Sequence, residues 1–265
     1  IKNNSISVKN KDVFVKDPSK IFEIFLLKDE NNNLYDISAN TIRFIRESLT
    51  LIDNNFRNNI KNKELFISIF YQKKGVIKSL RKMNDYGVLA AYLKPFGKIV
   101  GMMQFDLFHI YTVDEHTLSV VSNTRFMSTN DCKDKYSFVY EIFKKLSSPE
   151  ILYLGALFHD IGKGNKKDHS KVGAIESLKF CESHGMNKHQ SEMVCWLVEN
   201  HLLMSLTTQK KDINDDEIIK DFADIVKTQE RLDYLYLLTI ADIRGTNPDL
   251  YTNWKDSLLK ELYLS

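Results

Sequence analysis

What the 265-residue chain lacks bounds what it can be. Glycine (10) and proline (4) are scarce. With so few β-turn signals, a mostly helical protein is expected. Cysteine occurs three times, at Cys132, Cys181 and Cys195. None forms a C-x-x-C pair and the count is odd, which argues against a disulfide framework and fits a reducing cytoplasm. The longest apolar runs, Ile151–Phe158 and Leu235–Ile240, fall far short of the roughly 20 residues that span a bilayer. Net charge is only +2, so no global basic field points to nucleic acid. No secretory leader is visible: the chain opens on the polar stretch "IKNNSISVKN". It opens without Met, as a portion of a longer protein would.

What is present is ordinary for a globular protein: 43% hydrophobic and 27% charged residues, enough apolar material for a sizeable core. The length suits one large domain or two small ones. "SISVKNKDVFVKD" alternates around Asn10-Lys11 and reads as a short hairpin. Asp17-Pro18 then reads as a cap followed by proline at the first helical position. "SANTIRFIRESLTLID" carries Ile42, Ile45, Leu49 and Ile52 on one helical stripe. "ELFISIFYQ" and "GVIKSLRKMNDYGVLAAYL" continue in the same manner until Pro95 and Gly97 interrupt.

All seven histidines lie between His109 and His201. Residues 106–265 are therefore expected to carry the chemistry and residues 1–105 to form a helical scaffold. Helices are expected over Asp114–Ser122 and over Glu150–Ile161, the second stopping at Gly162 and Gly164. Asp168 is placed to cap a helix running to Gly185. "KHQSEMVCWLVENHLLMS", "DINDDEIIKDFADIVK", "RLDYLYLLTIADIRGTNP" and "NWKDSLLKELYL" complete the set. Trp196, Trp254 and the Met102-Met103 pair are expected as core filler. His184 and His189 are expected to be structural.

His159-Asp160 ends the apolar segment "ILYLGALF". Adjacent helical residues point about 100° apart, so both reach one point only near a helix end or across a groove. A carboxylate in an apolar setting demands a partner. That partner is either an arginine or a cation. Asp242 poses the same question at the end of "LDYLYLLTIA", with Arg244 or a shared cation as its answers. One cation would serve both acids. With His116, His169 and His201, the candidates number four imidazoles and two carboxylates. This mixed N/O set suits Mn, Fe, Mg or Zn. It has the capacity for two metals with Asp160 bridging.

The string "H…HDIGK…D", as His116, His159-Asp160, Lys163 and Asp242, resembles the HD superfamily of metal-dependent phosphohydrolases. "HSKVG" and "ENH" look like the extra histidines of its two-metal members. Closer still, "FDLFHIYTVDEHTL", "LFHDIGKG…DHSKVGA", "WLVENHLLMS" and "LTIADIRGTNPDLYTNWKDSLLKELY" resemble the uridylyl-removing domain of bifunctional uridylyltransferase/uridylyl-removing enzymes. "ANTIRFIRESLTLID" and "KMNDYGVLAAYLKPFGKIVGMMQFDLFH" resemble the segment preceding that domain.

The resemblance implies an all-α HD-domain bundle that removes UMP from a tyrosine of the PII nitrogen regulatory protein. It implies two divalent ions, Mn2+ or Mg2+ with Fe or Zn also compatible. His116 and His159 would hold one ion, His169 and His201 the other, and Asp160 both, with Asp242 in support. Lys163, four residues after His159, would reach a phosphate oxygen; otherwise it is a solvated loop lysine. His109 would contact phosphate or donate a proton. Arg244 would brace Asp242. Lys167, with Lys166, Lys210 and Lys211, would receive the acidic substrate or simply face solvent. The uridylyl-adding half's Gly-Ser and Asp-x-Asp signature is missing, and so are glutamine-sensing domains after Ser265. A removing activity without the adding one is thus expected, with glutamine control lost or altered. Two other readings stay open: an HD hydrolase of a free nucleotide, cyclic dinucleotide or alarmone, and a module that binds metal or nucleotide without turnover.

Overall fold

A computed structural model describes residues 5–28, 35–103, 110–165, 168–210 and 215–265. The chain divides into two compact units. One takes Ile1–Val100 with Ser183–Gly185; the other takes Gly101–Glu182 with Met186–Ser265.

The first unit is built from short helices: α1 (Asp12–Lys16), α2 (Lys20–Glu23), α3 (Ala39–Glu47), α4 (Asn54–Asn58), α5 (Ile60–Ser68), α6 (Val76–Asp85), α7 (Val88–Tyr92) and α8 (Lys94–Gly97). Side chains stop and start them. Ser38 caps α3 by accepting from the Thr41 N–H, and Asp53 caps α4 by accepting from Phe56 N–H. Asp17, expected as a cap, accepts from the Ser19 N–H just before α2. "GVIKSLRKMNDYGVLAAYL" is two helices, because Gly87 sits at φ 81° between α6 and α7. The core is aromatic: Phe22 packs against Phe56 and Tyr92 with ring centroids 5.1 and 4.8 Å apart, and Phe66 lies 4.7 Å from Tyr92.

The expected N-terminal hairpin does not form. Ser5–Ile6 is a strand, but it pairs in parallel with Asp36–Ile37, and "DVFVK" is α1. Phe14 is fully buried while Val15 is 58% exposed. Burying the one aromatic through a helical turn defeats the alternating pattern, a tertiary override of a short-range signal.

The second unit contains α9 (Val113–Phe126), α10 (Asn130–Lys135), α11 (Ser137–Lys145), α12 (Pro149–Phe158), α13 (His169–Ser183), α14 (Lys188–Asn200), α15 (Leu203–Lys210), α16 (Asp216–Val226), α17 (Gln229–Thr246) and α18 (Asn253–Leu264). Among the described residues of both units, the only strands are the two two-residue ones, so the fold is all-α as expected. Helix α12 is buried at every position from Glu150 to Phe158 and packs against α9, α14 and α17. Helices α9 and α17 meet closely where Gly245 faces Val120. A Cβ at position 245 would lie 2.6 Å from a Val120 methyl, so only glycine permits that approach.

Three of the expected fillers are not in the core. Trp254 is 68% exposed, and Met102 and Met103 are 37% and 47% exposed. Trp254 lies in the first turn of α18, where the helix meets solvent. Trp196 is half-buried, with the Arg231 guanidinium 4.8 Å over its ring. No helix among the described residues is long and apolar enough to cross a membrane.

Candidate functional site

The site belongs to the second unit and is built at the end of α12. His159 is still helical (φ −54°, ψ −38°), whereas Asp160 has left the helix (φ −109°, ψ 4°). That change of direction lets two adjacent side chains converge. A short 3-10 helix, Ile161–Gly164, follows. A Cβ at Gly162 would lie 2.1 Å from the His169 carbonyl oxygen. Glycine there allows the chain to fold back and bring His169 beside the dyad. Asp168 starts α13 by accepting from the Ser170 N–H at 3.1 Å.

Five helices contribute: His116 from the first turn of α9, His159-Asp160 from the end of α12, His169 and His201 from the start of α13 and the end of α14, and Asp242 from the last turn and a half of α17. His116, His159, Asp160 and His201 are at most 2% exposed, and the Asp242 side chain is 20% exposed. Asp160 Oδ2 lies 3.4 Å from His116 Nε2 and 3.2 Å from His159 Nε2. Its other oxygen, Oδ1, lies 3.8 Å from His169 Nε2 and 3.9 Å from His201 Nε2. Asp242 Oδ1 is 3.1 Å from His116 Nε2 and 3.7 Å from His159 Nε2. Two donor groups, His116/His159/Asp160 and Asp160/His169/His201, have ligand atoms close enough to surround an ion.

The ring tautomers fit that use. Nδ1 of His159 lies 2.8 Å from the Ala156 carbonyl, and Nδ1 of His201 lies 2.8 Å from the Val198 carbonyl. A carbonyl only accepts, so each Nδ1 carries a hydrogen, and in the neutral ring each Nε2 presents its lone pair to the centre. Both carbonyls lie three residues back on the same helix, so helix geometry fixes both rings.

Charge is equally organised. Burial opposes ionisation of Asp160, but the charges and hydrogen bonds of His159 and His116, with Lys163 beyond them, hold its carboxyl well below the usual carboxylate range. Burial opposes Asp242 as well, and the His116 hydrogen bond still brings it down to about 2. Burial disfavours a charged His116, yet hydrogen bonds to Asp160 and Asp242 outweigh it and raise the ring to about 10. Burial, then the charge on His159, pushes His201 down to about 4, and burial also lowers His169. The centre thus keeps its carboxylates ionised and demands positive charge beside them.

Lys163 supplies part of that charge, its ammonium 2.7 Å from Asp160 Oδ2. Arg244 does not brace Asp242. Its guanidinium stacks over Tyr136, Phe126 and Tyr251 at 4.8, 5.3 and 5.8 Å. Two residues apart on a helix, the two side chains point to different sides. His109, Lys166, Lys167 and Lys211 lie outside the described residues, as does the side chain of Lys210. His189 is exposed beside Glu230 at 3.1 Å. His184 clusters with the first unit, its Nε2 2.7 Å from the Tyr92 hydroxyl.

The centre opens into a cleft of about 300 Å³. Asp160, Lys163, His169, His201 and Asp242 line it. Leu202, Ser205 and Gln209 from α14–α15, Ile243 and Thr246 from α17, then Leu250 and Lys255, complete the lining. Sequence reasoning did not single out Ser205, Gln209 or Lys255. Ser205 and Lys255 lie within the strings that carry the resemblance, but no residue type or spacing marks any of the three, and their proximity to the histidines is a product of how α15, α17 and α18 pack.

Residues 113–242 match the family model described as the HD domain. That span opens with α9 and closes on Asp242, so it contains all six converging side chains. This region of the chain is thus an HD domain. Residues 1–92 match the model described as the uridylyltransferase GlnD third domain. Along nearly its whole length the chain is similar to proteins named bifunctional uridylyltransferase/uridylyl-removing enzyme. It is 50% identical to that of Nitrosococcus oceani over 99% of this chain, and 46% identical to that of Pseudomonas fluorescens over 97%. A Pseudomonas aeruginosa protein of the same name is 44% identical over 99% of the chain. The chain spans 29% of the length of each of these relatives.

Proposed function

We propose that the second unit is a metal-dependent phosphodiesterase that removes UMP from a tyrosine of the PII nitrogen regulatory protein. One observation carries the chemistry: the two oxygens of a single buried carboxylate, Asp160, face two separate histidine pairs. His116 and His159 would hold one divalent ion, His169 and His201 a second, and Asp160 would serve both. Asp242 stands beside the first pair. Mn2+ or Mg2+ suits this nitrogen and carboxylate set, and Fe or Zn is also compatible. Divalent ions there would supply Lewis acidity, making water a competent nucleophile near neutral pH and neutralising phosphate charge.

The chain's own residues do the rest. The carbonyls of Ala156 and Val198 fix the ring orientations of His159 and His201, so the ligand atoms are preorganised. Lys163 is positioned at the cleft beside Asp160. With ions compensating Asp160, its ammonium is available to a phosphate oxygen. The leaving tyrosine has a pKa near 10, so it departs with modest help. The names of the relatives supply the uridylyl group; the buried donor set supplies the hydrolytic machinery.

The test is release of UMP from uridylylated PII in the presence of Mn2+. The expected result is turnover that needs both the metal and Asp160. Turnover of a free nucleotide with none of uridylylated PII would replace this reading with that of a nucleotide hydrolase.

A further inference from the structure

The wall of the cleft facing the donor set has a chemistry of its own, not explained by metal binding. Lys255 lies in the first turn of α18, half-buried, and lines the cleft. No carboxylate of the described residues lies within 4.0 Å of its ammonium. Gln209, an exposed residue in the last turn of α15, lines the same cleft. Leu202, Ile243 and Leu250 supply apolar surface around them. Apolar flanks with a few convergent polar groups are what a planar heterocycle needs.

We propose that this wall reads the base of the nucleotide being released, and that Lys255 selects uracil over cytosine. The proposal rests on the phosphodiesterase reading above and deepens it. The argument is one of donor and acceptor inventory. Uracil presents a carbonyl acceptor at C4 and an N–H donor at N3; cytosine presents an amino donor at C4 and an acceptor at N3. Gln209 has one acceptor and one two-hydrogen donor. By turning its amide it matches either base, so it contributes affinity without choosing. Lys255 has donors only. It complements the C4 carbonyl of uracil and opposes the amino group of cytosine, which is selection by an unfavourable pairing as much as by a favourable one. The phosphate side of the cleft is already served by Lys163 and the donor set.

The experiment uses the whole chain with Mn2+ and the p-nitrophenyl esters of UMP and CMP, reading kcat/KM for each. Wild type is expected to favour the uridine ester by about tenfold, the net contribution of roughly one hydrogen bond. Lys255→Ala is expected to bring the ratio to within about twofold of unity, chiefly through KM. Lys255→Arg, still a donor, retains most of the preference. Gln209→Ala is expected to raise KM for both esters and leave the ratio in place. Because each ratio comes from one preparation, any misfolded fraction cancels. A wild-type ratio near unity, or a preference that survives Lys255→Ala, overturns the assignment while leaving the phosphodiesterase reading intact. If wild type cleaves neither ester nor uridylylated PII, the functional reading itself fails and the base-reading wall falls with it.

Discussion

The two units of this chain handle charge in opposite ways. The first buries aromatic rings and leaves its ions at the surface: Lys61 meets Asp17 and Glu23 through side chains that are 54%, 42% and 27% exposed. The second buries its ions. His159, His116, Asp160 and His201 are 0 to 2% exposed, gathered around the end of the apolar helix α12. Burying ionisable groups costs several kcal/mol each unless geometry compensates. A region selected only for stability has no reason to incur that. The difference separates a part built to fold from a part built to hold something charged.

The contrast is broken most directly at Asp160. Asp160→Asn keeps the shape of the side chain and removes the charge that both donor groups share. Release of UMP from uridylylated PII should fall by at least about 10³-fold, on the order of 4 kcal/mol of barrier, and metal retained after dialysis should fall with it. Activity within tenfold of wild type, with metal content unchanged, would sink the shared-carboxylate site.

The first unit should answer differently. Phe22 is fully buried among Phe56, Phe66 and Tyr92, and Phe22→Ala should cost about 3–5 kcal/mol there by cavity formation. Hydrogen exchange should quicken in α2, α5 and α7. Metal bound per folded chain should not change, and a loss of metal would show the centre depends on more than the second unit's residues.

How much of this was legible in the sequence follows the same divide. His159-Asp160 was readable because an acid at the end of "ILYLGALF" has few explanations, and Asp242 because it repeats the puzzle on α17. Gly162 was readable as a turn, but its contact with the His169 backbone was not. Arg244 misled because spacing says which residues are near in sequence, not which side of a helix each faces; three aromatic rings claim it. The hairpin failed because two-residue strands carry almost no local signal, and Phe14 is drawn into a core assembled from distant residues. Lys255 and Gln209 were invisible for the opposite reason: nothing local is unusual about them, and only the packing of α15, α17 and α18 brings them to the cleft.

Acidity should destabilise the second unit when metal is stripped. His201 has a folded-state pKa of about 4 against about 6.5 when unfolded. Above pH 6.5 both states are neutral at this ring, and its effect is nil. As pH falls from about 6.5 to about 4 the unfolded chain takes up a proton that the folded one refuses, so stability is lost across that window, by roughly 3 kcal/mol at most. His116 works in the other direction. Its folded pKa near 10 contributes stability that is complete below about 6.5 and disappears as pH rises through 10. The metal-free protein should therefore melt highest near pH 6.5. In His201→Gln the acid-side fall in Tm should flatten; an unchanged acid limb would remove His201 as its cause.

Metal should act on one unit alone. An ion that binds only the folded state, present at about 100 times its Kd, adds about 2.7 kcal/mol. Chelation should therefore accelerate hydrogen exchange in α9, α12 and α17 by up to about two orders of magnitude and leave α3–α7 unaffected. Equal acceleration in both sets would mean the ion stabilises something other than the cluster around Asp160.

The smallest effect expected is at Lys61, and its smallness is what the comparison requires. The ammonium lies 3.1 Å from Glu23 Oε1, 3.6 Å from Asp17 Oδ2 and 2.7 Å from the Ser19 hydroxyl. On paper it is as well connected as Lys163. Its side chain is more than half exposed, however, so water screens each attraction and replaces each partner when the side chain is cut back. Lys20, 2.5 Å from Glu23 Oε2, stays to serve the same acids. Lys61→Ala should leave the urea midpoint unchanged within error at low and high salt alike. A clear drop at low salt that disappears at high salt would show that the surface ions of the first unit do hold it together, and would erase the contrast between the units at its weakest point.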